Sequence, residues 1–112
     1  MTAANVPGLT RTDLQRHDLS VQGREVIQNR VDISPAAPPV RHMHPGEEII
    51  YVLEGTLEYS IDGREPTTFS AGDVLLVPPD TVHSVKNVGR DNAAELATYI
   101  VEKGKPFLVL VD

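Results

Sequence analysis

The sequence predicts an all-β protein, and three observations support that class. Short apolar runs rich in valine and isoleucine alternate with turn signals, at the spacing of roughly 8–12 residues that is typical of sandwiches and small barrels. Asp62-Gly63 suits a tight hairpin turn that needs a positive φ. Pro78-Pro79 removes two backbone donors, so it ends a ladder of hydrogen bonds. We therefore expect one small β-sandwich or barrel.

The elements are predicted in order along the chain. Residues 1–20 are polar, and Leu9, Leu14 and Leu19 are spaced five apart, which suits neither a helix nor a strand, so we interpret this stretch as an N-terminal arm that includes at most one strand. Residues 21–112 are predicted to form a single domain. Its strands are expected around residues 25–33, 40–44, 48–53, 56–61, 74–77, 82–87, 95–101 and 107–111. The proline-rich segment 34–39 is predicted to be a stiff loop between strands.

Composition excludes several classes of function. The chain has 112 residues with 16 acidic and 10 basic side chains, a formal net charge of −6, so its overall field would repel nucleic acid. It contains no cysteine, which excludes disulfides and cysteine nucleophiles. It has neither an apolar stretch long enough to span a membrane nor the apolar run of a secretory signal. We expect a cytoplasmic protein with no nucleic-acid or membrane partner.

The stretch RHMHPGEEIIYVLEG, residues 41–55, holds two of the four histidines. In a strand His42 and His44 project from the same face, whereas on a helix they would lie about 200° apart. After the turn at residues 45–46, Glu48 is in phase with the apolar residues at 50 and 52, and Glu47 is in phase with 49, 51 and 53. One carboxylate can therefore join the two histidines, and His83, at the start of another strand-like run, can join them too.

Three imidazoles and one carboxylate suit a divalent transition ion such as iron, manganese, nickel, cobalt or zinc. Calcium and magnesium fit poorly because they prefer oxygen ligands. Four protein ligands leave one or two coordination positions for water, dioxygen or a chelating substrate. We predict one such ion per chain, at a catalytic rather than a sealed site.

These motifs resemble those of the cupin superfamily. The first motif matches HMHPGEEIIYVLEG, with His-x-His, a Glu after three residues and a Gly after six more. The second motif matches GDVLLVPPDTVHSVKN, with Gly72, Pro78, His83 and Asn87 in order. The resemblance, to a small single-domain cupin with a conserved type 2 barrel, implies a double-stranded β-helix (jelly-roll-like) barrel. By the same resemblance the metal ligands are His42, His44, Glu48 and His83.

The chain departs from the cupin motifs at two loop positions. Ala36 and Asp80 stand where glycines usually occur, and an aspartate can keep a left-handed turn. The remaining candidate residues are interpreted as structural. Glu47 is expected either at the surface or beside a ligand without binding the ion, and His17 at the surface. Gly72 is expected in a tight turn and Asn87 bonded to the backbone of a loop, with Tyr59, Phe69 and Tyr99 in the core.

Two functions remain open from the sequence. The first is a metal-dependent enzyme, dioxygenase-like or otherwise a decarboxylase, isomerase or lyase. The second is a non-catalytic cupin that binds a metal or metabolite for sensing, storage or partner recognition. The short length argues against a two-domain cupin and against an added DNA-reading domain. No catalytic residue beyond the ligands can be named.

We expect a pocket lined by Ile50, Val52 and Val85, and no inward-facing basic residue. An enzyme of this kind would act on a small, mostly apolar substrate that chelates the ion through oxygen. The strand at 48–53 carries apolar residues on both faces. We therefore expect a homodimer that covers its outer face.

Overall fold

The structure is a computed structural model that describes residues 6–112. This part of the chain forms two five-stranded antiparallel sheets packed face to face, and it contains no helix, hence none that could cross a membrane. One sheet has the order β1-β2-β9-β4-β7, with strands Leu9–Asp18, Arg24–Ile33, Ala93–Glu102, Gly46–Glu54 and Val74–Val77. The other has the order β10-β3-β8-β5-β6, with strands Val109–Leu110, His42–Met43, His83–Asn87, Thr56–Ile61 and Thr67–Ser70. The predicted all-β, double-stranded β-helix class is confirmed.

Alternation of side chains along the strands builds the core. In β2 and β9 every second residue is buried, and these residues face the strands of the opposite sheet. The core is mostly aliphatic, with two large aromatic side chains, Tyr59 and Tyr99, that are only 2% and 1% exposed. Ile50 and Val52 are fully buried at its centre. The predicted core positions of Tyr59 and Tyr99 are confirmed.

The stretch interpreted as an arm forms the edge strand β1 from Leu9 to Asp18. It pairs with β2 along its whole length, from Leu9 opposite Ile33 to Asp18 opposite Glu25. A bulge between Asp13 and Gln15 shifts the register and reverses the alternation of side chains. The bulge explains why the leucine spacing of this stretch matches no regular period.

The predicted strands agree with the structure most closely where apolar residues alternate. The strands at 56–61 and 74–77 have the predicted bounds, whereas β3 and β10 have only two residues each. Strand β6, Thr67–Ser70, was not predicted, because three of its four residues are exposed and polar. It forms a sheet edge, where pairing to β5 rather than burial defines the strand.

Gly46 allows β4 to lie close against β9. A β-carbon at this position would overlap the carbonyl oxygen of Ile100 and lie 2.7 Å from the α-carbon of Val101. Gly46 pairs directly with Val101, and two residues later Glu48 pairs with Tyr99. The close approach therefore fixes the position of Glu48 relative to the core.

Candidate metal centre

The four predicted ligands come together between the two sheets. His42 lies in β3 and pairs with His83, the first residue of β8, while His44 follows β3 and Glu48 lies in β4. One ligand atom from each side chain lies within 4.8 Å of all the others. His44, Glu48 and His83 are each 2% exposed, and His42 is partly buried. The structure thus assembles a His₃Glu cluster from residues that span 42 positions of the chain.

Each imidazole is oriented by a backbone carbonyl. The Nδ1 atoms of His42, His44 and His83 lie 2.8, 2.8 and 2.9 Å from the carbonyl oxygens of Val40, Phe107 and Thr81. A carbonyl oxygen can only accept a hydrogen bond, so Nδ1 carries the proton in all three rings. In the neutral form of each ring the Nε2 lone pair is therefore left for ligation, which is the arrangement that metal-binding histidines use.

The Glu48 carboxylate faces two of these nitrogens. Its Oε1 atom lies 3.1 Å from Nε2 of His83 and 3.4 Å from Nε2 of His44. Nε2 of His44 is a buried atom with no hydrogen-bond partner among residues 6–112. Several acceptors that converge in a buried space require a shared cation or added protons. The residues therefore fit a divalent transition ion, the group that the donor set predicts.

The pKa values of Glu48 and His42 favour the ligating forms of these two side chains. Burial raises the pKa of Glu48, but the neighbouring imidazoles of His44 and His83 outweigh burial and hold the pKa below its usual range. Burial and the nearby His83 lower the pKa of His42 to about 4. Near neutral pH the carboxylate is therefore ionised and His42 is neutral, as ligation requires.

A second buried carboxyl group, Glu95, lies beside the cluster and was not singled out in the sequence. Glu95 in β9 is 3% exposed, and its Oε1 accepts a hydrogen bond of 2.5 Å from the Tyr59 hydroxyl. Burial and the charge of Glu48 raise the pKa of Glu95 to about 8. Its phase in the predicted strand is the sequence feature that could have revealed its burial, because Glu95 lies on the same face as the buried residues 97, 99 and 101.

A cavity of about 590 Å³ adjoins the cluster and has His42 and Val85 in its wall. Two of the three expected lining residues, Ile50 and Val52, are instead fully buried in the core and do not line it. The cavity wall is formed largely by β1, β2 and the C-terminal segment, and includes Leu9, Ile27, Phe107 and Leu108. The position of this cavity is set by β1, whose polar sequence gave no indication that it covers the site.

The expectation that no basic residue faces the pocket is wrong. Arg11 and Arg16 of β1 and Lys105 all line the cavity. Arg16 is neutralised by a bidentate ion pair with Glu25, and Lys105 is paired with Glu102. No pattern in the polar stretch distinguishes Arg11 from an outward-facing residue, because its orientation follows from pairing with β2.

Other predicted positions agree with the structure. Glu47 lies outside the cluster and His17 is exposed. Asp80 has a φ of 53°, the left-handed conformation of the glycine that it replaces, and its amide donates to the His44 carbonyl at 2.9 Å. Asn87 donates to the carbonyls of Ile33 and Asp91, both at 2.8 Å. Both residues therefore shape loops around the site.

Comparison with known families decides the classification. The family model described as "Cupin domain" matches residues 29–101, a range that contains all four clustered side chains. The chain belongs to the cupin family. Among curated proteins, this cupin is similar to polyketide synthase CurC of Streptomyces cyaneus, with 39% identity over 63% of this chain and 46% of that protein. It is also similar to germin-like protein 5-1 of Oryza sativa subsp. japonica, with 33% identity over 66% of this chain and 36% of that protein.

The matched part of this cupin therefore spans less than half the length of those curated relatives. Among solved structures, a cupin-like protein from Thermotoga maritima superposes with a TM-score of 0.75 at 20% identity, over 98% of this chain and 82% of that one. An oxalate oxidase in complex with the substrate analogue glycolate superposes with a TM-score of 0.71 at 28% identity, over 93% of this chain and 55% of that one. The fold of this cupin is thus shared both with a chain of similar length and with a longer enzyme.

Proposed function

We propose that this cupin is an enzyme with one divalent transition ion per chain, held by His42, His44, Glu48 and His83. The observation that carries the proposal is the orientation of three imidazoles by backbone carbonyls, which leaves the Nε2 atoms free in a cluster that also contains the Glu48 carboxylate. Such an ion, when bound, supplies Lewis-acid polarisation of substrate oxygen and, if redox-active, chemistry with dioxygen.

The proposed substrate is a small molecule that chelates the ion through one or two oxygens. The adjoining cavity of about 590 Å³ falls within the range of small-molecule sites. The aliphatic and aromatic part of its wall, formed by Leu9, Val85, Phe107 and their neighbours, would bury an apolar body and exclude water from it. The similarity to an oxalate oxidase bound to glycolate and to an oxalate decarboxylase supports a small oxygen-rich ligand. The proposed chemistry is dioxygenase-like, with decarboxylase, isomerase or lyase chemistry as the alternatives.

The experiment is a screen for dioxygen uptake after metal loading. Metal-free protein is loaded in turn with iron(II), manganese(II), nickel(II), cobalt(II) or zinc(II), and catechol, diketone, flavonol and hydroxy-acid compounds are added. Turnover in wild type that disappears in Glu48→Gln at equal protein concentration supports the proposal. Chelators that bind to the metal-loaded protein without turnover would favour the alternative, a non-catalytic cupin for sensing, storage or partner recognition.

Assembly as a homodimer belongs to the same proposal. The outer face of β4 and β7 exposes Ile49, Tyr51, Leu53, Val74 and Leu76 by 38 to 64%, a contiguous apolar surface of the kind that a symmetric partner buries. A cytoplasmic location, expected from the sequence, remains a prediction.

A further inference from the structure

Arg11 is a cation of the cavity wall without a charged partner. Two other basic residues of that wall, Arg16 and Lys105, form ion pairs with glutamates, whereas Arg11 forms none with a carboxylate in residues 6–112. The guanidinium is permanently charged at any physiological pH. A charge held without a counterion in a partly apolar cavity is costly unless a ligand or solvent compensates it.

The guanidinium is held in place from one side. Its Nη1 atom donates to the Tyr99 hydroxyl at 2.9 Å and, with the Asn29 amide oriented to satisfy its neighbours, to Asn29 Oδ1 at 3.3 Å. The Phe107 ring packs beneath it, with Cζ 5.7 Å from the ring centroid. Nε and Nη2 donate to no described residue, and neither atom is fully buried. A pair of parallel N–H donors is therefore accessible to a ligand.

Arg11 is also coupled to the metal centre. Tyr99, which accepts its hydrogen bond, packs edge-on against the His44 ring with centroids 4.7 Å apart. Burial alone would lower the pKa of Arg11, but Tyr99 and the acidic side chains of Glu48 and Glu95 outweigh burial and raise the pKa. His42 and Arg11 line the same cavity, so one small molecule can contact both a metal ligand and the guanidinium.

We propose that Arg11 determines substrate specificity by binding a carboxylate of the substrate, whose other oxygens reach the metal centre across an apolar body. This inference rests on the proposed function. A carboxylate matches the two parallel donors of a guanidinium. A phosphate dianion fits less well, because the acidic side chain of Asp13 also lines the cavity and would repel a double negative charge more than a single one. The Asn29 amide donates to Oδ1 of Asp13 at 3.1 Å.

The test compares two chelators that differ by one carboxylate, 3,4-dihydroxybenzoate and catechol. Each is titrated into cobalt(II)-loaded protein, and the visible spectrum of cobalt reports oxygen chelation. Wild type should prefer 3,4-dihydroxybenzoate by about tenfold or more, since a hydrogen-bonded charge pair contributes about 1.5–3 kcal/mol. Arg11→Gln should lose this preference but keep its affinity for catechol, and Arg11→Lys should keep only part of it.

Arg64→Gln is the matched control, because Arg64 is exposed in the turn after β5 and its loss changes the net charge equally. This variant should keep the full preference. An unchanged preference in Arg11→Gln with cobalt bound would overturn the inference, as would equal losses in Arg11→Gln and Arg64→Gln.

A second arm does not depend on the metal. Benzoate and benzyl alcohol are titrated by calorimetry into metal-free wild type and Arg11→Gln, after thermal unfolding has shown that both are folded. Selective benzoate binding that requires Arg11 supports the inference, whether or not cobalt binds. A failure of cobalt to bind would count only against the proposed function. Equal binding of benzoate by the two proteins, or no binding to either, would overturn the inference.

Discussion

At the scale of single residues, the site depends on which atoms each neighbour leaves available. A backbone carbonyl at Nδ1 leaves the Nε2 lone pair of each of three histidines available for a metal ion. The pairing of β4 directs Glu48 rather than Glu47 towards them. This part was predictable, because the two-residue repeat of a strand assigns faces from sequence alone. The carbonyl partners were not, since they depend on loops such as that of Phe107, 63 residues from His44.

Glu95 should reduce the stability of the metal-free protein as the pH rises. Its pKa is about 8 in the folded protein against 4.5 for an unperturbed carboxyl, so the folded state keeps a proton that the unfolded state loses. Stability is therefore highest below the unfolded pKa and falls between the two values, by at most about 1.4 kcal/mol per pH unit.

The isosteric variant Glu95→Gln should lack this loss. Urea denaturation of the metal-free proteins should show the two with similar free energies of unfolding near pH 4, and the variant more stable by a few kcal/mol near pH 8. A constant difference between the two proteins over this range would show that Glu95 is ionised in the folded state.

At the scale of elements, β1 shows that a local sequence pattern does not always predict which side chains of a strand face a cavity. Side chains of Leu9, Arg11 and Asp13 face the cavity before the bulge, and Arg16 faces it after the bulge. A bulge of this kind reverses the phase within one strand, so no single period fits the stretch. The strand is defined by its pairing with β2, a long-range interaction, and so Arg11 could not be placed in the cavity from the sequence.

The contact of β4 with β9 gives a second test. Gly46→Ala would place a methyl group against the backbone of Ile100 and Val101. It should lower the free energy of unfolding by about 1–3 kcal/mol or more and reduce metal content, because a shift of β4 moves Glu48.

Gly89→Ala is the control for this substitution, since the nearest atom to its β-carbon, Asn87 Oδ1, would lie 3.4 Å away. Urea denaturation and metal analysis measure both effects. Equal stability of the two alanine variants would contradict the role assigned to the close approach of the strands.

At the scale of the whole molecule, one outer face remains apolar. Pairs such as Tyr51 with Val74 and Ile49 with Leu76 lie side by side on β4 and β7 with 42 to 64% of their surfaces exposed. The alternation of the sequence predicted the apolar outer residues of β4. It did not predict that β7 extends the patch, because that depends on which strand occupies the sheet edge.

We predict that this patch forms the dimer interface. Light scattering at micromolar concentration should give twice the 12.2 kDa mass of one chain. Ile49→Lys should raise the dissociation constant by about 100-fold or more, because a two-fold axis brings two like charges together.

Val21→Lys is the matched control for dimerisation, since Val21 is 62% exposed in the turn between β1 and β2. This variant should remain dimeric. A wild-type mass equal to one chain, independent of dilution, would refute the prediction.

We predict that His42, His44, Glu48 and His83 bind one transition ion per chain, and the metal content of Glu48→Gln compared with that of Glu47→Gln is the measurement on which this assignment depends. Each variant removes one charge, and the two positions are adjacent in β4, but only Glu48 belongs to the cluster. Elemental analysis after loading and dialysis at neutral pH should find one ion per chain in wild type and Glu47→Gln. Glu48→Gln should bind the ion at least about tenfold more weakly. Metal loss in Glu47→Gln with full retention in Glu48→Gln would contradict the assignment.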